Sequence, residues 1–284
     1  MKDQERHIAI VCNSTHGNVK ALSVTGSISL LLKGMGIRHQ CFTVQWPEHF
    51  NVFSEAWIVG GDGTMNCFIN RYPDIDIPLS IFQGGSGNDF HFMLYGDIDI
   101  EHQVELVLQS APSRVDAGVC NKRLFLNGVG IGFDGAIVKD LLGRRKLPGK
   151  SSYLLSILKN IAGYHEKPCA LEIKGETISQ DCLLISVANG KRFGGGFNVA
   201  PKASVDDGLL DINIVGKISP FQRIRYLPVI EKGEHMDLPF VQYRQVKKVR
   251  ISAPVQLHAH IDGEYICDTV FNIELLPERF SFIY

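Results

Sequence analysis

Residues 56–66 read Ala56-Trp57-Ile58-Val59-Gly60-Gly61-Asp62-Gly63-Thr64-Met65-Asn66. Residues 79–90 repeat the design as Leu79-Ser80-Ile81-Phe82-Gln83-Gly84-Gly85-Ser86-Gly87-Asn88-Asp89-Phe90. Each is a short apolar run that opens into glycines, the pattern of a strand buried on both faces of a parallel sheet. Three glycines in four positions let the Gly60–Gly63 backbone turn tightly and approach a ligand with its amides pointing inward. Ahead of a helix, such a loop suits phosphate. Asp62 would repel phosphate unless a cation lay between them, which points to Mg²⁺. The plain alternative is a glycine turn with Asp62 or Thr64 capping the next helix. The Gly-Lys-Ser/Thr ending of a Walker loop is missing. Ser86 is no nucleophile elbow, since the final glycine of G-x-S-x-G is absent. In an open α/β sheet both loops would face one crevice beyond the strand ends, bringing Asp62 and Asp89 toward a shared metal–water network.

Around these loops, Ile8–Cys12 and Cys41–Val44 read as further buried strands. Ala21–Lys33, Met65–Tyr72 and the Val104, Val107, Leu108 spacing read as helices. Alternating strands and helices predict a wound α/β domain with a mostly parallel sheet. After Ser113 the texture changes. Leu124–Val129, Ala170–Lys174, Cys182–Ala188, Leu209–Val215, Val246–Ser252, Val255–Ile261 and Val270–Leu275 are strand candidates, many separated only by turn residues. That favours an antiparallel sandwich, interrupted by helices at Ala136–Leu142, Ser152–Tyr164 and Pro220–Lys232. The expected domains are 1–113, α/β, and 114–284, β-rich, with the last residues returning to the first.

Composition narrows the function classes. Of 284 residues, 45% are hydrophobic and 21% charged, which excludes disorder. The 29 Lys+Arg against 30 Asp+Glu leave a net charge of −1, so no global basic field favours nucleic acid. No apolar run approaches the ~18 residues of a membrane span. Seven scattered cysteines without a C-x-x-C pair suggest neither a disulfide framework nor a zinc ribbon. The opening MKDQERH lacks signal-peptide architecture, so the expected place is the cytoplasm.

Other constellations have bland readings. Gly130-x-Gly132-x-x-Gly135 fits a dinucleotide fingerprint, but no acidic residue lies about 20 positions on. His258-Ala259-His260-Ile261-Asp262 has the H-x-H-x-D form of a zinc run, but Gly263 stands where its closing histidine belongs. Alternation puts His258, His260 and Asp262 on one strand face, and Asp262-Gly263 is by itself a strong hairpin-turn signal. Gly143–Lys150 (GRRKLPGK) gathers four cations, the mark of a solvated loop or of contact with an anionic membrane.

Taken in order, the motifs resemble the diacylglycerol kinase catalytic-domain family, in the bacterial lipid kinase branch related to the sphingosine and ceramide kinases. Gly60-Gly61-Asp62-Gly63-Thr64 with Asn66 and Asn70, and Gly85-Ser86-Gly87-Asn88-Asp89-Phe90, carry the resemblance in the first half. Asp116, Asn127–Asp134 (NGVGIGFD), Gly194-Gly195-Gly196 to Pro201, Asp206-Asp207-Gly208-Leu209-Leu210 and Ile261-Asp262-Gly263-Glu264 carry it in the second. Together they cover nearly the whole chain.

The resemblance implies an ATP- and Mg²⁺-dependent lipid kinase acting on a lipid hydroxyl, such as that of diacylglycerol. ATP would meet Asn13, Gly17, Thr43, Gly60, Gly61, Asp62, Gly63, Thr64, Asn66, Gly85, Ser86, Asn88 and Asp89. Asp62, Asp89 and Asp116 would organise Mg²⁺ through water, and Ser204, Asp207 and Leu209 would hold a second, structural Mg²⁺. Asp262 would be the general base, with Glu264 close by. Implied partners are the lipid and peripherally an anionic membrane, with a homodimer compatible and no nucleic acid. An NAD kinase-like enzyme and a non-catalytic nucleotide- or lipid-binding relative are the alternatives. Three departures bear on them: Asn13-Ser14-Thr15-His16-Gly17 lacks the family's proline and serine, Cys67 replaces a glutamate, and only a dozen residues join Val44 to Trp57 where a helix is usual.

Overall fold

The computed structural model describes residues 6–13, 19–142 and 151–284. In chain order the elements begin β1 (His7–Cys12), α1 (Val19–Gly34), β2 (Arg38–Phe42), β3 (Glu55–Gly60), α2 (Asp62–Arg71), β4 (Leu79–Gln83), α3 (Asp89–Tyr95) and α4 (Ile100–Gln109). There follow β5 (Pro112–Cys120), β6 (Arg123–Phe125), β7 (Gly128–Gly132), α5 (Phe133–Leu141), α6 (Ser151–Ile161), β8 (Lys167–Ile173), β9 (Glu176–Cys182) and β10 (Leu184–Ala188). The chain closes with β11 (Leu210–Val215), α7 (Pro220–Lys232), β12 (Val241–Val246), β13 (Lys248–Ile261) and β14 (Glu264–Ile283). Two compact units result: the chain up to Val115 with Glu278–Tyr284, and Asp116–Pro277.

In the first unit the sheet order is β2-β1-β3-β4 and then the end of β14, with every pairing parallel. Such a sheet is covered on both faces, which is why Ala9–Cys12 and Ala56–Val59 are apolar at every position and fully buried. One core gathers Ile8, Ile10, Trp57, Val59 and Phe82 under α1 and α4. Since β1 lies between β2 and β3, the winding reverses beside it, and ligand crevices of open sheets form beyond the carboxyl ends at such a point. No helix fills the stretch from Val44 to Trp57. Aromatics take its place: Phe50 packs edge-on against Phe68 and Tyr72, and the Trp46 indole donates to the Cys12 carbonyl at 3.0 Å. The Cys41–Val44 strand ends earlier than expected, at Phe42.

The second unit is antiparallel along β12-β11-β10-β7-β13-β14, with β8 joined to β13 and β9 to β8. The two strands expected at Val246–Ser252 and Val255–Ile261 are largely one, β13, with a register break between Ser252 and Leu257. The break lets its first half pair with β8 and its second half with β7, a bend that serves a two-layered core. The expected Leu124–Val129 strand is instead two, β6 and β7, parted at Leu126-Asn127. That interruption proves central to the site. Among the described residues no helix is long and apolar enough to cross a membrane.

Candidate functional site

The first unit supplies the paired glycine loops, and they are built against each other. A Cβ on Gly61 would strike the Gly87 carbonyl, and one on Gly85 would lie 2.5 Å from the Gly61 Cα. These glycines are therefore fixed by backbone-to-backbone contact of the two loops, whatever a ligand demands. Gly84 N–H donates to the Gly60 carbonyl at 2.8 Å, and Asp62 N–H to the Gly87 carbonyl at 3.1 Å. Asn88 braces its own loop, its Oδ1 accepting from Gly85 N–H and its Nδ2 donating to the Gly85 carbonyl.

Asp62 locks the assembly. Its Oδ2 accepts from Asp89 N–H and its Oδ1 from Phe90 N–H, both at 3.0 Å. A carboxylate at the start of α2 thus caps the first amides of α3, where ionised acceptors are favoured. The second loop is held from below by Phe90, fully buried against Phe282. Asp89 and Asn66 are buried, and Asn70 Nδ2 donates to the Asn66 carbonyl at 2.8 Å. Gly60 leaves room that the Thr64 side chain occupies. Gly63 and Ser86 are exposed, and so is Cys67, so the family's missing glutamate falls at a surface position. Asn13 follows β1 and Thr43 follows β2, while Gly17 lies outside the described residues.

In the second unit Asp116, buried in β5, is drawn into the acidic loop. Its N–H donates to the Val205 carbonyl at 2.6 Å and its Oδ2 accepts from Gly208 N–H at 2.8 Å. Ser204 Oγ donates to Asp206 Oδ1 at 2.6 Å, and Asp207 Oδ1 accepts from Leu209 N–H at 3.0 Å. Asp211, fully buried, takes the Tyr243 hydroxyl on Oδ1 at 2.5 Å and leaves Oδ2 without a partner. Desolvation raises the Asp207 and Asp211 carboxyls above their ordinary range, with neighbouring carboxylates adding to it. So much negative charge, with an orphaned buried oxygen, suits a cation. Among the described residues no three His, Cys, Asp or Glu side chains are arranged to hold one alone. Water and carbonyl oxygens would have to complete any Mg²⁺ shell.

Asp262 and Gly263 form the two-residue turn between β13 and β14, with φ of 48° and 83°. Both being positive, the turn is of the primed hairpin kind that Asp-Gly favours. The Asp262 side chain does more than support it. Oδ1 accepts from Asn127 N–H (3.0 Å) and Gly128 N–H (2.9 Å), and Oδ2 from Leu126 N–H (2.9 Å). These are the amides freed where β6 and β7 part. Glu264 is exposed beside it.

Sequence reasoning passed over Asn189 and weighed His260 only as part of a zinc run. Asn189, buried at the end of β10, donates through Nδ2 to the carbonyls of Asp116 and Leu126, tying the aspartate strand to the amide cluster. His260 is buried with Nε2 2.7 Å from Asp134 Oδ2. Burial alone would lower its imidazole; the Asp134 carboxylate, and beyond it Asp262, carry it above the ordinary value. The H-x-H-x-D run is no metal set, since its members have separate partners: His258 meets Tyr265 and Lys139, His260 meets Asp134, and Asp262 meets the three amides. The Gly130–Gly135 fingerprint is likewise consumed by packing. Side chains there would strike Asp134 and His260 at Gly130, the Leu183 carbonyl at Gly132 and the His258 backbone at Gly135.

Comparison with known proteins matches both halves of this arrangement. The model of the diacylglycerol kinase catalytic domain fits residues 7–120, and that of the YegS C-terminal NAD kinase beta sandwich-like domain fits residues 127–284. A diacylglycerol kinase of Mycobacterium tuberculosis is 28% identical over 229 residues, 78% of this chain and 73% of that protein. A crystal structure of a diacylglycerol kinase from Bacillus anthracis str. Sterne superposes with a TM-score of 0.75 at 21% identity, covering 100% of this chain and 98% of that one. An NAD kinase from Archaeoglobus fulgidus, in complex with ATP, gives 0.56 at 18% identity, covering 98% and 93%. The fold class is that of the diacylglycerol and NAD kinases. The chain belongs to the diacylglycerol kinase catalytic-domain family, with a C-terminal sandwich of the YegS type.

Proposed function

We infer that this protein is a lipid kinase that moves the γ-phosphoryl group of ATP to the hydroxyl of a lipid such as diacylglycerol. The observation that carries the reading is the pair of glycine loops locked by Asp62 at the carboxyl ends of β3 and β4. The loop residues Gly60, Gly61, Gly63, Thr64, Gly85 and Ser86, with Asn13, Gly17, Thr43, Asn66 and Asn88, would receive the nucleotide. Asp62, Asp89 and Asp116 would organise Mg²⁺ through water, and Ser204, Asp207 and Leu209 would hold a second ion. Bound there, Mg²⁺ supplies the positive charge that phosphoryl transfer needs more than covalent help.

The chain's own residues do the rest. The loop amides orient the phosphates, and Asp262 takes the proton from the lipid hydroxyl while Glu264 orients it. Three backbone donors on Asp262 support this by fixing the direction of its carboxylate before substrate arrives. The test is to incubate the protein with γ-labelled ATP, Mg²⁺ and total lipid from its host, and to identify the labelled product. A phospholipid product supports the reading. In a parallel reaction with NAD added, labelled NADP beside unlabelled lipid would make the protein an NAD kinase-like enzyme. Tight ATP binding with no product would make it a binding relative.

A further inference from the structure

The turn that carries Asp262 runs through the left-handed region at both residues, which Asp enters more readily than most non-glycine residues, and two tethers hold it there. One is the Asp262 carboxylate on the amides of Leu126–Gly128. Another comes from the strand that leads into the turn. Gly263 N–H donates to His260 Nδ1 at 3.2 Å, and the same ring meets Asp134 through Nε2 at 2.7 Å.

The tautomer follows from those two contacts. Nδ1 accepts, so Nε2 carries the hydrogen and donates to the carboxylate. A second proton, on Nδ1, would set two donors face to face, so the Gly263 contact holds the ring neutral against the pull of the Asp134 carboxylate toward the charged form. The fold keeps a slot for the pair. His260 stands opposite Gly130 in the β13–β7 register, and any side chain at Gly130 would collide with both His260 and Asp134. The Phe193 ring closes the slot edge-on, its centroid 6.1 Å away.

We propose that Asp134 and His260 are positioning residues for the Asp262–Gly263 turn, Asp134 fixing the imidazole so that Nδ1 holds the Gly263 amide and keeps the turn in its working conformation. The catalytic part rests on the reading of Asp262 and Glu264 given above; the tether itself does not. Neither residue touches a reacting atom.

The experiment separates the two ends of the ring. In an Asp134→Asn background, which strands no buried charge and still offers an oxygen, position 260 is changed to Asn or to Gln. Asn keeps an acceptor at the δ position for Gly263 N–H; Gln keeps a donor at the ε position and loses that acceptor. Amide exchange at Gly263, kcat and the KM for ATP are measured on each folded variant, with Asp134→Asn alone as the control. The expected result is that the Gln variant exchanges Gly263 at least tenfold faster and loses at least tenfold in kcat at unchanged KM. The Asn variant should stay within about threefold of the control in both. Equal exchange in the two variants would overturn the tether. Faster exchange in the Gln variant with equal kcat would overturn the catalytic positioning. If Asp262→Asn and Glu264→Gln leave turnover intact, the functional reading fails instead, and the exchange comparison still decides the tether.

Discussion

Asp62→Asn exchanges one carboxylate oxygen for an NH₂ group and leaves the backbone alone, and the sequence by itself predicts an intact fold. The structure predicts otherwise. Both oxygens are in use, on the consecutive amides of Asp89 and Phe90. Asn can accept from one of them, so the other amide must face a donor. The variant loses one charge-assisted hydrogen bond and leaves a half-buried N–H unmatched, together about 2–4 kcal/mol when the overlap of the two effects is allowed for. The loss should fall on the first unit, because Asp62 joins two of its loops. Both tryptophans of the chain, Trp46 and Trp57, lie in that unit, and both are buried. Denaturant unfolding followed by tryptophan fluorescence therefore reports it directly. The midpoint should move down in Asp62→Asn with the slope unchanged, and lipid phosphorylation should be lost at saturating Mg²⁺ even where the variant is fully folded. A transition within about 0.5 kcal/mol of wild type would refute the capping role, since surface substitutions away from such features stay within that band.

Asp262→Asn keeps a residue that tolerates the turn but removes an acceptor from the three-amide cluster. Turnover should fall roughly 10²-fold or more, the scale of general-base catalysis, with KM for ATP unchanged and a stability loss of about 1–3 kcal/mol. Retention of more than half of wild-type turnover removes Asp262 from the chemistry, and Glu264→Gln should do less harm. Asp207→Ala should abolish the Mg²⁺-dependent rise in melting temperature; an equal rise in wild type and variant would show that the second ion is not held there. Burial first, then neighbouring carboxylates, hold Asp207 and Asp211 above their ordinary 3.8, so the folded state binds protons more tightly than the unfolded. Without Mg²⁺, this contribution to unfolding free energy is full below 3.8 and lost as pH rises through the raised values, and Asp211→Asn should flatten that fall in a pH series. Arg144, Arg145 and Lys146, outside the described residues, changed together to Gln should weaken sedimentation with anionic vesicles at low salt while sparing activity on detergent-dispersed lipid. Equal sedimentation would return that loop to plain solvated surface.

Where the chain obeys a single period its structure was legible from residue types. Ala56–Val59 and Leu79–Phe82 are apolar at nearly every position because both faces of a parallel sheet are covered. Helix α7 could be bounded from sequence because its ends are chemically marked: Ser219 makes a capping box with Gln222, Pro220 opens the helix, and Gly233 closes it in the left-handed conformation. Strands β9 and β12 were missed since ETISQDC and VQYRQV are half polar and exposed, with too little apolar alternation to declare themselves. In the site, residue types pointed to Asp62 and Asp262 but not to what their oxygens touch. Asp62 reaches amides 27 and 28 positions away, and Asp262 reaches amides more than 130 positions back. No local pattern encodes such distances. The Asp134–His260 pair was hidden for the same reason: only the β13–β7 register sets Gly130 beneath the histidine, which turns an apparent dinucleotide fingerprint into a packing requirement.

The most direct test of the account is the rate of phosphate transfer from γ-labelled ATP to detergent-dispersed diacylglycerol, measured with Mg²⁺ and with the metal chelated, for wild type beside Asp62→Asn and Asp262→Asn. Wild type should form a labelled lipid phosphate only when Mg²⁺ is present, and the rate should collapse in both variants. Undiminished transfer in both variants, or, with NAD added beside the lipid, label in NADP and in no lipid, would contradict the account.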